Sequence, residues 1–429
     1  MTRYTRCWTS GFPWQSAIVL LFAMLSVFST VIGKGAEGAG VKTGIDNLLD
    51  TDFRLLKGRK IAVLTHAAAR SRQGESTFDI VRLRSDITLV RVFAPEHGFH
   101  GTVTAGNKVE NDTILGVEVR SLYGQYRRPT ADMLHGVDAV VVDLQDIGCR
   151  SYTYVSTMIE MLTVCAELRI DVFILDRPNP LGGITVDGRI VEPSLQSFVG
   201  RIPIAYVHGM TLGELATMAN GEGWLGRDST GTPRRAHITV IKAKRWSRSM
   251  RWEETGLDWY PTSPNIPTIT AARAYPITGI IGELSTMSIG IGSALPFSIL
   301  GGPGLLYDSV LVSAGRRHGI LLRDIQFTPT VGRFARTTCS GYHVEWARVD
   351  SIRPVRFAMY VLHRLSATYP DIVPDSLSPS TESMITKVTG SSQLLTLLRR
   401  KATFDEIDRE MSIGLTDFLQ RRKKYLLYD

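Results

Sequence analysis

The sequence predicts an α/β fold with a mostly parallel sheet and helices on both faces, followed by a smaller α+β domain. Short, almost wholly apolar segments recur between residues 60 and 240, and segments with apolar residues at helical spacing separate them. Strands that are apolar along their whole length are typical of a parallel sheet, because helices bury both faces. After about residue 303 the pattern changes to shorter, mixed elements. A chain of 429 residues, 44% of them hydrophobic, is long enough for two domains.

The elements of the larger domain follow in chain order. The first strand reads KIAVLT, and the third reads DAVVVD. Apolar residues from Val155 to Cys165 recur at helical spacing, and TLGE at residues 211–214 is a capping box that opens another helix. The predicted strands are residues 60–65, 87–93, 138–143, 171–175 and 235–243, and the predicted helices are residues 77–83, 152–168 and 211–220.

The smaller domain is predicted to mix helices with strands. The chain closes with FLQRRKKYLLYD, which reads as a helix that turns into a tail. The predicted helices are residues 307–319, 355–368 and 391–401, and the predicted strands are residues 325–334 and 341–349. The sequence thus predicts a larger α/β domain at residues 43–300 and a smaller domain at residues 301–429.

The N-terminus has the features of a secretory signal. Arg3 and Arg6 precede an apolar run at residues 17–32, and small residues follow it. The run is shorter than the ~20 residues of a membrane span, so we expect a signal over residues 1–36, no stable span after its removal, and a periplasmic or secreted protein. An uncleaved anchor is the alternative.

Charge and cysteine content narrow the range of partners. The net charge is +8, but the densest basic segments, residues 242–251 and 421–424, look like solvated faces. We therefore expect no nucleic-acid partner. Three cysteines follow the signal without C-x-x-C spacing, which indicates neither a disulfide framework nor a zinc site. Composition makes no prediction of the oligomeric state.

Polar residues follow four of the predicted strands, at the point where each strand ends. The carboxyl ends of parallel strands share one edge of a sheet, where ligands bind in a crevice. We therefore expect Glu96, Asp146 and Arg177 to share a cleft. The four polar segments are Thr65-His66, Glu96-His97, Asp143 to Asp146, and Asp176 to Asn179.

The motifs exclude several classes of chemistry. The first strand is followed by THAAARS and not by G-x-G-x-x-G, and no phosphate-binding loop is present, so we expect no nucleotide cofactor. The best match to a serine hydrolase elbow, TMSIG at residues 286–290, lacks the first glycine. We expect no metal site. A metal held by His97, His100, Asp143 or Asp146 is the alternative.

Carboxylate chemistry remains. Glycoside hydrolysis needs an acid that protonates the leaving oxygen and a second group at the sugar carbon. Glu96 lies between the apolar Phe93 and Phe99, which suits a general acid. Tyr123 is a candidate nucleophile or transition-state partner.

Several blocks resemble the DUF1343 family of YbbC/NamZ-like exo-β-N-acetylmuramidases. They are FAPEHGFHG, SLYGQYRRPTADML, VVDLQDIGCRSYTYVSTM, LDRPNPLGG, VEPSLQSFVGRIPIAYVHGMTLGEL, SPNIPT and YLLYD, and they run from about residue 60 to residue 429. The resemblance implies a Rossmann-like domain joined to a smaller C-terminal domain, with a cleft between them. It also implies release of terminal N-acetylmuramic acid (MurNAc) from peptidoglycan fragments.

The resemblance assigns roles to residues of the matching blocks. It implies that Glu96 and Tyr123 are catalytic. The residues that it implies for substrate binding are His97, Asp146, Arg150, Tyr152, Arg177, Asn179, His208, Asn265 and Ser288.

One block departs from the family pattern. The family usually has E-G-T-N-x-S-x-G-R-G-T before P-F, whereas this chain has ELSTMSIGIGSALPF, with Thr286 for Asn and Ile291 for Arg. An arginine there could pair with the lactyl carboxylate of MurNAc, since a guanidinium matches a carboxylate bidentately. We expect an exported glycosidase that releases MurNAc or a related amino sugar. The alternatives are an inactive carbohydrate-binding protein of the same fold and a metal-dependent cell-wall hydrolase or amidase.

Overall fold

A seven-stranded sheet forms the centre of the larger domain. The computed structural model describes residues 40–347 and 352–429, of which residues 41–429 form one unit. The strands are β1 (Lys60–Thr65), β2 (Thr88–Ala94), β3 (Asp112–Ile114), β4 (Val117–Ser121), β5 (Ala139–Asp143), β6 (Asp171–Leu175) and β7 (Ile238–Ile241). Their order is β3-β4-β2-β1-β5-β6-β7, and all neighbours are parallel except the β3-β4 hairpin.

Both faces of this sheet are buried, as the apolar strands predict. In β1, Ala62 and Leu64 point into one hydrophobic core, and Ile61 and Val63 point into another. Alternation along a strand sends successive side chains to opposite faces, so each face needs its own helical layer. The helices are α1 (Gly44–Asp50) and α2 (Thr77–Arg82) on one side, and α3 (Tyr154–Leu168) and α4 (Leu212–Glu222) on the other. The predicted fold class is confirmed.

The C-terminal part has a separate three-stranded antiparallel sheet. Its strands are β8 (Ile299–Gly302), β9 (Ile320–Phe327) and β10 (Cys339–Trp346), in the order β8-β10-β9. Helices α5 (Trp252–Thr255) and α6 (Ile269–Gly282) lie between β7 and β8 in the chain. The helices that follow β8 are α7 (Ser309–Arg317), α8 (Pro354–Thr368), α9 (Pro379–Thr389), α10 (Leu394–Arg399), α11 (Phe404–Glu410) and α12 (Leu415–Arg422). Helix α6 packs against α8 and β10. The domain boundary near residue 300 stays a prediction.

Some elements differ from those that the sequence predicts. The strand expected at residues 325–334 is β9, which ends at Phe327, and Pro329 and Gly332 lie in the loop that follows. The sequence pattern also missed α6. This helix contains Pro276 and is buried on most of its surface, so it shows no polar stripe from which a helical period could be recognised.

The C-terminal tail packs back onto the larger domain. The Tyr428 hydroxyl donates to the Asp176 carboxylate at 2.6 Å, and the Leu427 amide donates to Glu214 at 2.8 Å. Burial raises the pKa of Asp176 to about 6, and the hydrogen bonds from Tyr428 and Thr211 act against that rise. The YLLYD block therefore holds the end of β6 in place rather than contacting the cleft.

The predicted signal, residues 1–36, lies outside the described residues. In the part of the chain that the structure does describe, none of the helices combines the length and apolarity needed to cross a bilayer.

Candidate active site

A cleft of about 380 Å³ opens where the carboxyl ends of β2 and β4 face helix α6. One wall is built from the segments that follow β2 and β4 and from the residues just before α3. The other wall is built from α6 and the loop that leads from it to β8. The lining includes Glu96, His97, Tyr123, Ser151, Tyr152, Thr153, Asn265, Tyr275, Glu283, Ile289, Ile291 and Phe297.

Glu96 is fixed at the cleft wall by two hydrogen bonds. It follows β2 by two residues and is 6% exposed. One carboxylate oxygen accepts the Gly106 amide at 2.8 Å, and the other accepts the Thr153 hydroxyl at 2.6 Å. Acceptance by both oxygens suits an ionised carboxylate, which can only accept. Glu96 therefore has a defined orientation in the cleft.

The turn after Glu96 has an unusual backbone. His97 has φ +70°, a left-handed conformation that is uncommon outside glycine. Its ring Nδ1 lies 2.8 Å from the Val103 carbonyl, so Nδ1 carries the proton and donates. Burial lowers the pKa of His97, which leaves Nε2 as an acceptor on a neutral ring. The strained turn and this hydrogen bond fix the conformation of the segment that carries Glu96.

Tyr123 lies beside Glu96 in the same cleft. It follows β4, and its carbonyl accepts the Val109 amide at 2.7 Å. Burial, together with the nearby negative charge of Glu96, raises the pKa of Tyr123 to about 12. Its hydroxyl is therefore neutral at physiological pH and available as a hydrogen-bond donor. The Arg127 guanidinium lies 4.7 Å from the ring centre.

Comparison with known proteins identifies the family. Two family models, described as the N-terminal and C-terminal parts of exo-β-N-acetylmuramidase NamZ, match residues 61–270 and 273–428. The chain belongs to the NamZ family. It is 35% identical over 397 residues to the peptidoglycan β-N-acetylmuramidase NamZ of Bacillus subtilis (strain 168). The aligned region covers 92% of each chain. Like other members of this family, it is a glycosidase.

Solved structures agree with this assignment. A DUF1343 family protein of Bacteroides fragilis superposes with a TM-score of 0.82 at 33% identity, over 91% of this chain and 100% of the other. A second DUF1343 family protein from the same organism superposes with a TM-score of 0.70 at 28% identity, over 91% of this chain and 99% of the other. The family resemblance predicted from the motif blocks is confirmed.

Arg150 does not line the cleft, although the NamZ family pattern suggested that it binds substrate. Its side chain is 1% exposed. The guanidinium donates to the carbonyls of Arg189, Ile204 and Val388 at 2.7, 2.8 and 2.9 Å. Because Val388 belongs to α9, this arginine joins the larger domain to the C-terminal helices. Its role here is structural.

The side chains of Arg177 and Asn179 also make contacts within the protein and do not line the cleft. Arg177 forms a buried ion pair with Asp143, with two contacts of 2.5 and 2.9 Å. The amide group of Asn179 closes a turn by accepting the Leu181 amide and donating to the Met210 carbonyl, each at 2.9 Å. The space that these two side chains border measures about 10 Å³, which is the size of one water molecule and too small for a sugar.

Asp146 and His208 form a buried pair away from the cleft lining. His208 Nε2 lies 3.8 Å from an Asp146 oxygen, and Nδ1 accepts the Met210 amide, so the ring proton is on Nε2. Burial raises the pKa of Asp146 to about 7 and lowers that of His208 to about 3. Near neutrality His208 is therefore neutral, and Asp146 is only partly ionised.

Ser288, which was expected to bind substrate, does not line the cleft. It exchanges two main-chain hydrogen bonds with Gly301, at 2.8 and 3.0 Å, and thereby attaches the α6–β8 loop to β8. Of the residues assigned from the sequence, the structure thus brings five into one cleft. They are Glu96, His97, Tyr123, Tyr152 and Asn265.

Three cleft residues were missed by the sequence reasoning. Thr153 holds Glu96, and Tyr275 comes from the unrecognised helix α6. Glu283 is the first residue of the departing block, and burial raises its pKa to about 7. Its presence in that block was the signal that could have identified it.

The described residues do not form the cluster of ligands that a metal site would need. Among the residues that the structure describes, His, Cys, Asp and Glu nowhere gather in a group of three or more that could hold a metal ion. Asp143 is paired with Arg177, Asp146 faces His208, and His97 bonds the Val103 carbonyl. The four side chains considered from the sequence therefore do not converge.

Proposed function

We propose that this protein is an exo-acting glycosidase that releases terminal MurNAc, or a related amino sugar, from peptidoglycan fragments. The observation that carries the proposal is Glu96, a carboxylate fixed by two hydrogen bonds beside Tyr123 in a cleft of ligand size. The similarity to a peptidoglycan β-N-acetylmuramidase supports the choice of substrate.

The geometry suggests what each group contributes. Glu96 is the catalytic carboxylate that faces the sugar carbon, where positive charge develops in the transition state. Tyr123 is neutral and donates a hydrogen bond close to the same point. The ring of His97 offers an acceptor for a sugar hydroxyl, and Asn265 provides a further polar contact along the cleft. Tyr152 also lines the cleft, but its hydroxyl is buried.

The test is hydrolysis of a panel of chromogenic β-glycosides that includes β-MurNAc and β-GlcNAc donors. We expect release of the chromophore from the muramoside, unchanged by a chelator. Binding of muramosides without turnover would instead support the carbohydrate-binding alternative. Chelator-sensitive cleavage of an amide bond would support a metal-dependent amidase.

Ile291 should weaken discrimination between MurNAc and GlcNAc. It lines the cleft at the position where the family pattern has Arg, and the described lining contains no Lys or Arg. A charge-assisted hydrogen bond contributes ~1.5 to 3 kcal/mol, so Ile291→Arg should raise the ratio of kcat/KM for MurNAc over GlcNAc by roughly tenfold or more. The measurement is kcat/KM for both aryl glycosides in each variant.

Ile291→Met is the matched control, since it adds length without charge. It should leave the selectivity ratio near that of the natural chain. A natural chain that already prefers MurNAc strongly, with no gain from Ile291→Arg, would place carboxylate recognition elsewhere. Arg127, which stacks on Tyr123, is then the first residue to replace.

We also propose that the protein is exported to the periplasm or secreted. The support is the basic start, the apolar run at residues 17–32 and the small residues after it. N-terminal sequencing of protein from the native host should begin within residues 30–42. An intact Met1 on soluble protein from the cytoplasm would contradict export.

A further inference from the structure

A second carboxylate in the cleft has no partner of its own. Glu283 directly follows α6 and lines the cleft that also contains Glu96. Within the described part of the chain, its side chain makes neither a hydrogen bond nor an ion pair. It is half-buried, and neither of its oxygens is sealed from solvent. A carboxyl group left unpaired at a ligand-sized cleft is available to a ligand.

The surroundings of the two carboxylates differ in a chemically useful way. Both oxygens of Glu96 accept hydrogen bonds, one from the Gly106 amide and one from the Thr153 hydroxyl. Glu283 lines the same cleft as the apolar Ile289, Ile291 and Phe297, and burial raises its pKa to about 7. One carboxylate held by two donors and a second carboxyl group left unpaired in the same cleft suit the different roles of base and acid.

Burial is the cause of the raised pKa of Glu283, and neighbouring charges do not add to it. The titratable side chains that sense its charge are Tyr206 and Tyr275, and burial raises the pKa of both, so they remain neutral. Tyr275 also senses the charge of Glu96, which places this tyrosine within electrostatic range of both carboxylates. Its hydroxyl lies 3.3 Å from the Ser151 hydroxyl, which in turn contacts Tyr206 at 2.8 Å.

We propose that Glu283 is the general acid of the reaction and that Glu96 is its ionised partner, an inference that rests on the proposed glycosidase function. The proton of Glu283 passes to the glycosidic oxygen, which keeps the electron pair of the breaking bond to the anomeric carbon. Water supplies a hydroxyl group to that carbon, and its remaining proton restores the Glu283 carboxyl group by way of Glu96 or solvent. Glu96 thus takes the role opposite to the one expected from the sequence.

The test compares two substrates in Glu283→Gln. With MurNAc–GlcNAc, whose leaving group is poor, kcat/KM should fall by ~10² to 10⁴, the usual contribution of general acid catalysis. With a nitrophenyl β-muramoside, whose leaving group needs little protonation, the loss should be less than about tenfold. The natural chain should also lose activity on the disaccharide as pH rises through about 7, and the variant should lack that decline.

Glu110→Gln is the control, because it removes an exposed carboxylate with the same change of charge. It should behave as the natural chain on both substrates. Equal losses from Glu283→Gln on the two substrates, or undiminished cleavage of the disaccharide, would overturn the acid assignment. A natural chain that cleaves neither substrate would instead remove the proposed function itself.

A melting experiment separates catalysis from folding. The pKa of Glu283 is raised in the folded state, so its ionisation opposes folding: the cost is absent well below pH 4.5 and complete above about pH 7. Glu283→Gln should therefore melt at or above the natural chain at pH 8, with the difference shrinking towards pH 5. A variant that melts several degrees lower at pH 8 would indicate a structural residue and contradict the proposal.

Discussion

Glu96→Gln should lower kcat/KM by at least ~10², and up to ~10⁴, on both a muramoyl disaccharide and an activated aryl muramoside. The substitution keeps the shape of the side chain and removes its negative charge. Because Glu96 is proposed to face the sugar carbon, its charge is needed whatever the leaving group. The measurement is steady-state hydrolysis of both substrates at the pH optimum of the natural chain.

Loss of kcat/KM on both substrates distinguishes Glu96 from Glu283. Replacement of Glu283 should leave most of the activity on the activated aryl muramoside. Glu110→Gln again serves as the control for loss of a carboxylate. In Glu96→Gln, the side-chain oxygen can accept the Gly106 amide while the NH2 group donates to the Thr153 hydroxyl oxygen, so the melting temperature should change little. A loss smaller than tenfold on both substrates would show that Glu96 is not the catalytic carboxylate.

The fold was predictable because its strands are unambiguous. The strands β1, β5 and β6 are nearly continuous runs of Val, Ile and Leu, and they lie within one residue of their predicted positions. The rule that parallel strands end at a common edge then placed Glu96 in a cleft. It did not place Tyr123, because the short strand β4 before this residue was not predicted. Tyr123 was assigned from the chemistry and from its motif block.

The same rule could not separate cleft residues from buried ones. Asp146 and Arg177 follow strands as Glu96 does, yet their side chains turn into the protein, where His208 and Asp143 meet them. Which way a loop side chain points depends on partners that come from distant segments. The opposite wall of the cleft was missed because α6 has no polar stripe, and Glu283 is attached to its end.

Arg150 shows that a residue of a family motif can be needed for packing and not for substrate binding. Arg150 lies in the block that reads DIGCRSYTY, and its guanidinium donates to three buried backbone carbonyls. An unsatisfied buried carbonyl costs about 1 to 3 kcal/mol, so the packing of α9 against the larger domain alone requires this residue. A substrate carboxylate cannot reach it, since the side chain is 1% exposed.

Arg177→Met should lower the free energy of unfolding by about 3 to 5 kcal/mol, the cost of leaving a buried ion without its partner. Asp143 is 0% exposed and would keep only the Thr77 hydroxyl as a side-chain donor. The measurement is urea unfolding of the chain that starts after residue 36, with the midpoint and slope compared between variants. Arg323→Met is the matched control, because its ion pair with Glu345 lies at the surface and should contribute less than about 1 kcal/mol.

The double variant with Arg177→Met and Asp143→Leu gives a sharper test of the cause. If the destabilisation comes from an uncompensated charge, removing Asp143 as well should recover much of the lost stability, because apolar replacements of a buried pair are often close to neutral. If Arg177 instead binds substrate, Arg177→Met should leave stability within about 1 kcal/mol of the natural chain and raise KM for muramosides. The structure favours the first outcome, since Arg177 is 7% exposed and already donates to Asp143 and to the Arg70 carbonyl.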